Sequence, residues 1–202
     1  MSAAGEPPPL EAQLIVISGP SGVGKTSVAE ALLGDDRFMR ALTATTRAPR
    51  GAERDGVDYH FLSRQVFIAE RERGALLESA DVYGDLYGTP RQNVESILDS
   101  GRHCVLLLDV QGVESLQADG VEAIYVFVTA PSAEELERRL RGRANDTPES
   151  LAARLRAANE EMKKQDRFDR TLVNDDIERA ARELAGWVGI DLAQPVRPEG
   201  ES

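Results

Sequence analysis

The chain has 202 residues, 41% of them hydrophobic and 29% charged, which suits one compact domain with a sizeable core. With 24 basic against 35 acidic residues the formal net charge is −11, which argues against a nucleic-acid partner and against an anionic membrane surface, since both need a basic face. A single cysteine, Cys104, excludes an intrachain disulfide and points to a reducing compartment.

Residues 1–12 carry Pro7, Pro8 and Pro9 and little to bury, so they read as a disordered lead-in. They contain neither a basic leader nor a long apolar stretch, and the cytoplasm is the expected location. Leu14 to Ser18 is a continuous apolar run ending in a Gly-rich turn, the pattern of a buried parallel strand. A helix is expected from Thr26 to Leu33. From about 41 to 89 the rhythm breaks into short segments rich in Tyr, Gly and Thr, with one helix at about Arg64 to Arg73. This predicts a small inserted α+β unit with antiparallel strands. Apolar runs at Cys104 to Asp109 and Ala123 to Val128 predict two more buried strands. Ser132 followed by Glu135 is a capping box and opens a helix to about Leu140. Thr147-Pro148 starts another, reaching about Lys164. Thr171 to Asn174 is a last short strand before a closing helix at Ile177 to Trp187, and residues 191–202, with Pro195 and Pro198, read as a flexible tail. Strands alternating with helices predict an α/β fold with a mostly parallel sheet flanked by helices.

The most specific local signal is Gly19-Pro20-Ser21-Gly22-Val23-Gly24-Lys25-Thr26, which fits G-x-x-x-x-G-K-[ST] with a strand before it and a helix after it. Glycines let backbone N–H groups wrap phosphate oxygens, and the helix N-terminus adds positive potential. Lys25 is expected to reach the β- and γ-phosphates, and the Thr26 hydroxyl to ligate Mg2+. A pocket of this kind can be basic inside an acidic protein. The motif implies use of a nucleoside triphosphate and says nothing of the acceptor.

Further motifs follow in fixed order: Thr45-Thr46-Arg47-Ala48-Pro49-Arg50, Asp55-Gly56-Val57-Asp58-Tyr59-His60-Phe61, Tyr87-Gly88-Thr89, Asp109-Val110-Gln111-Gly112 and Val173-Asn174-Asp175-Asp176. With Gly19 to Thr26 they occur in the order and near the spacings of guanylate kinases, and the chain resembles that family from about Leu14 to Trp187. The resemblance implies a phosphate-loop core over about 13–40 and 90–190, a GMP-binding insertion over about 41–89 and a helical lid over about 139–155. It implies ATP and GMP as substrates and Mg2+ as cofactor. Glu78 aligns with the family's guanine-reading glutamate, Thr43 with a hydroxyl residue that contacts the base, Asp109 with a second acidic contact near the acceptor, and Asn174 with a residue near the adenine. Arg139, Arg143 and Arg154 match the lid arginines, which close on the transferring phosphates and exclude water.

Chemistry alone supports several of these roles. Arg47 and Arg50 offer two guanidinium forks for an acceptor monophosphate. The hydroxyls of Tyr59, Tyr87 and Thr89 can join them. Guanine presents two adjacent donors that one carboxylate accepts together, and adenine lacks that edge. Blander readings stand beside these. Arg47, Arg50 and Tyr59 also read as a solvated surface cluster, Glu78 as a surface carboxylate, and Thr89 before Pro90 as a helix cap. Arg138 and Arg141 read as a solvated helix face, His60 as a packing residue and Cys104 as a small buried hydrophobe. The chain departs from the family at Leu107, where an acidic residue is usual, at Ala144, where glycine is common, and at Ser79, where an aromatic is usual. The expected activity is in-line phosphoryl transfer from Mg-ATP to GMP. The alternatives are a kinase for another small phosphate or a non-catalytic guanylate-kinase-like binding module.

Overall fold

The computed structural model describes residues 11–82, 84–141 and 148–192, with the backbone alone for 148–150. Arg143, with Gly142, Ala144, Asn145, Asp146 and Thr147, lies outside the described residues. The chain opens with β1 (Leu14–Ser18), buried along its whole length, and α1 (Lys25–Leu32). β2 (Phe38–Arg40), β3 (Ala44–Thr45) and β4 (His60–Phe61) are short. α2 (Arg64–Glu72) starts where the Ser63 hydroxyl accepts the Val66 N–H. β5 (Leu76–Val82) and β6 (Asp85–Pro90) form an antiparallel hairpin, and α3 (Arg91–Asp99) follows directly. Next come β7 (His103–Leu107), α4 (Val110–Ala118) and β8 (Ile124–Thr129). α5 (Ala133–Arg141), α6 (Pro148–Met162), β9 (Arg170–Val173) and α7 (Ile177–Trp187) complete the chain.

Five strands make one parallel sheet in the order β2-β7-β1-β8-β9. Successive residues of a strand face opposite ways, and both faces here are covered, which is why β1 reads as an unbroken apolar run. Ile15 and Ile17 join Val28 and Leu32 of α1 and Leu184 of α7 in one core. Leu14 and Val16 join Val94 of α3 and Val113 and Leu116 of α4 in the other. A second, four-stranded sheet has the order β4-β3-β6-β5. It packs on α2 around Phe67. Gly88 lies so close beneath that layer that a Cβ there would come within 2.9 Å of the Phe67 ring and 2.8 Å of the Glu78 carbonyl.

Several expectations change. The second sheet is mixed, because β3 and β4 pair in parallel while β3–β6 and β5–β6 are antiparallel. The loop between β3 and β4 returns the chain in the same direction, which short-range patterning does not reveal. β2 and α4 were not expected: β2 has three residues, and Gly112 interrupts the helical pattern of α4. Thr89 is not the cap of α3. Pro90 holds that position without a side-chain bond, and the Thr89 hydroxyl turns instead to Glu78. Half of the capping box forms: Ser132 Oγ accepts the Glu135 N–H at 3.2 Å, while the Glu135 carboxylate goes to Arg138 and Arg139.

Candidate active site

The phosphate loop leaves β1 and enters α1 through Gly24, which caps the helix with φ +90° and no side-chain bond. The first-turn N–H groups therefore lack a side-chain acceptor, and together with the helix dipole they favour an anion. Lys25 Nζ donates to the carbonyls of Gly19 (2.5 Å) and Pro20 (3.0 Å), which pins the ammonium to the start of its own loop. The loop is braced from behind. Buried Asn174 donates its side-chain amide to the Val23 carbonyl at 2.7 Å. Arg139 donates to the Asn174 carbonyl at 3.0 Å and, more weakly, to the Val23 carbonyl at 3.4 Å, and its Nε is held by Glu135 at 2.7 Å. Asn174 and Arg139, expected at the adenine and in the lid, are both bonded to this loop.

Beside Thr26 opens a cavity of about 270 Å³ that reaches into the second sheet. Thr26 and Asp109 line its core side, and Thr43, Tyr59, Glu78 and Tyr87 its far side. Glu78 is only 6% exposed, so the surface-carboxylate reading is excluded. It stands on β5 opposite Thr89 on β6, whose hydroxyl donates to Glu78 Oε1 at 2.7 Å. Burial pushes the Glu78 carboxyl up to about 7, and Asp109 pushes it the same way, while the bonds from Thr89 oppose the shift. One oxygen of Asp109 accepts the Gly112 N–H at 2.7 Å and so caps α4, which fixes this carboxylate at the cavity wall.

Arg47 is also buried, at 8% exposure, which rules out a solvated cluster for it. Its guanidinium donates to Tyr87 Oη and Glu53 Oε1 at 3.0 Å and to the Ala48 carbonyl at 2.8 Å. It also lies 5.5 Å from the centre of the Tyr59 ring. Glu53, chiefly, raises the Arg47 pKa further above its ordinary value. Arg50 differs: it is exposed, and its backbone N–H donates to Glu53 Oε2 at 2.7 Å. Arg154 is half-buried on α6, and it does not line this cavity. His60 bonds Asn93 through Nε2, consistent with packing, and burial pushes the Cys104 thiol up to about 12. Arg138 and Arg141 form intrahelical pairs with Glu135 and Glu137 on the exposed side of α5.

A family model described as guanylate kinase matches residues 11–189. The chain belongs to the guanylate kinase family. Guanylate kinase 1 of Oryza sativa subsp. japonica is 45% identical over 182 residues, 88% of this chain and 48% of that protein. The chain thus spans about half the length of that plant relative. It covers more of the bacterial guanylate kinases: 80% of the one from Clostridium perfringens strain 13 at 42% identity over 173 residues, and 98% of the one from Parasynechococcus marenigrum at 43% over 178 residues. Those matches take in 85% and 88% of this chain. The crystal structure of guanylate kinase from Anaplasma phagocytophilum superposes with a TM-score of 0.70 and 31% identity, covering 90% of this chain and 86% of that one.

Within this guanylate kinase fold, sequence reasoning missed three residues. Glu53 partners Arg47, and its place three residues after Arg50 in a loop gave no chemical hint. Glu161, half-buried on α6, has its carboxyl pushed up by burial and by Asp109 while Lys25 and Lys164 pull it down. Arg40 lines the cavity at the end of β2, a strand too short to be read from pattern.

Proposed function

We propose that this chain transfers the γ-phosphoryl group of ATP to GMP, giving ADP and GDP. The observation that carries the reading is Glu78, a carboxylate almost wholly withdrawn from water on the wall of a cavity whose other end is Thr26 of the phosphate loop. A buried carboxylate is costly unless a ligand or partner meets it. Guanine supplies two adjacent N–H donors, whereas adenine would leave the carboxylate unmet. Thr89 orients the carboxylate, and Thr43 and Asp109 line the same wall.

The unit over about 41–89 holds the acceptor on this reading. Arg47, Arg50, Tyr59 and Tyr87 take its monophosphate, for which Arg47 exchanges its bond to Glu53. Gly19 to Thr26 cradle the triphosphate, Asn174 keeps the loop in shape behind the adenine end, and Arg139, Arg143 and Arg154 act from the lid over about 139–155. The donor set suits Mg2+: the Thr26 hydroxyl is a hard oxygen ligand, and Asp109 lines the same cavity. Bound with ATP, the ion neutralises charge on the phosphate oxygens. The attacking oxygen of GMP is already anionic, so no strong general base is required. Catalysis is then alignment by the two binding units and charge neutralisation by Lys25, Arg47 and the lid arginines.

The test is coupled ADP release with Mg-ATP and GMP, dGMP, AMP, UMP or ribose phosphates as acceptor. Turnover confined to GMP and dGMP is expected. Turnover with a sugar phosphate would discard the acceptor assignment, and GMP binding without turnover would leave a binding module.

A further inference from the structure

The cavity wall holds a cation that the acceptor roles above do not use. Arg40 ends β2, and its Cα pairs in register with Val105 of β7. Leu107 lies two residues further along β7, so Arg40 and Leu107 face the same side of the sheet. Both line the cavity that Thr26, Glu78 and Asp109 line, at the carboxyl ends of the parallel strands where ligands of such sheets collect. Arg40 is half-buried, yet among the described residues its side chain has neither a hydrogen bond nor an ion pair. Arg47, by contrast, is neutralised by Glu53. A carboxylate at position 107 would stand on the same face of the neighbouring strand and could neutralise Arg40. Leucine cannot, and it lowers the local polarity of the wall, which strengthens the attraction of Arg40 for any anion entering there.

We infer that Arg40 is a phosphate-binding residue of the acceptor pocket, contacting the monophosphate of GMP on the side that faces the phosphate loop, and that Leu107 keeps it available. The inference rests on the acceptor assignment above. It gives the leucine a consequence: where a carboxylate could neutralise the guanidinium, leucine leaves Arg40 at the cavity wall without an ion pair among the described residues. Planar, bidentate donors suit this place, and a charge-assisted contact of this type is worth one to two powers of ten in affinity.

Calorimetric titration of the full chain with GMP and with guanosine separates the possibilities. For Arg40→Met the GMP affinity should fall about tenfold to a hundredfold, guanosine affinity should hold, and the melting temperature should stay put because no protein bond is lost. Arg40→Lys should recover part of the loss. Leu107→Asp should weaken GMP similarly when Arg40 is present and much less in the Arg40→Met background, a coupling that reports direct neutralisation. Unchanged GMP affinity in Arg40→Met, or equal losses for GMP and guanosine, would overturn the inference. If the unaltered chain binds guanosine but gains nothing from its phosphate, the inference falls while the base-reading role of Glu78 stands. If it binds neither, the acceptor assignment itself fails and this inference with it.

Discussion

Glu78 sits where a carboxylate is costly and useful at once. Its pKa rises from 4.5 to about 7 in the fold, so the folded state holds the proton more tightly than the unfolded chain does. The stability associated with that proton is complete below pH 4.5 and is lost as pH rises through about 7. Glu78→Gln removes this liability, and its melting temperature should exceed that of the unaltered chain at pH 8 but not at pH 4.5, by up to roughly 3 kcal/mol of stability. The same variant should raise KM for GMP at least about thirtyfold with KM for ATP little changed, because an amide keeps one acceptor and sets a donor against the second guanine N–H. On the proposed base-reading role only the ionised carboxylate accepts both guanine donors, so KM for GMP should climb as pH falls below about 7. A pH-independent KM for GMP between pH 5.5 and 8 would remove Glu78 from the base-reading role. The identity of this residue was legible from alignment of motifs, but its burial and perturbed ionisation were not: Thr89 and Asp109, which set them, are 11 and 31 residues away along the chain.

At the scale of elements, the phosphate loop depends on parts that arrive last in sequence. Asn174 follows β9 and Arg139 lies in the last turn of α5, and together they bond the loop at the Val23 carbonyl. A Cβ on Gly24 would lie 2.3 Å from Asn174 Nδ2 on a backbone of φ +90°, so glycine is required there twice over. Gly24→Ala should therefore cost about 2 kcal/mol or more and raise KM for ATP steeply. Asn174→Ala alone should cost about 1–2 kcal/mol by leaving the Val23 carbonyl short of its donor. Combining the two should recover the steric part of the Gly24→Ala loss and leave the backbone part. Strict additivity in thermal melts of the three variants would show that the contact does not limit position 24. The glycine-rich pattern announces the loop, yet nothing local says that an asparagine 150 residues on fixes its shape.

For the molecule as a whole, two sheets meet at one cavity, and ligands that fill it should bind the folded state alone. GMP at a hundred times its Kd should add about 2.7 kcal/mol, which for a chain of this size raises Tm by roughly 5–10 °C. AMP at equal concentration should add little. A shift of equal size with AMP would mean that the cavity does not read the base. No helix among the described residues is long and apolar enough to cross a membrane.

The sequence by itself determined the phosphate loop, the buried parallel strands and the closing helix, because each is written in contiguous residues with a period or a spacing. It also carried the family, through motifs that persist in order. Only the tertiary structure decided which charges meet. It paired Arg47 with Glu53, turned Thr89 from a helix cap to a partner of Glu78, and set Arg40 beside Leu107 through a three-residue strand. These outcomes depend on strand register and on burial, which bring distant residues within a few ångströms and change the cost of a charge, and neither quantity is encoded locally.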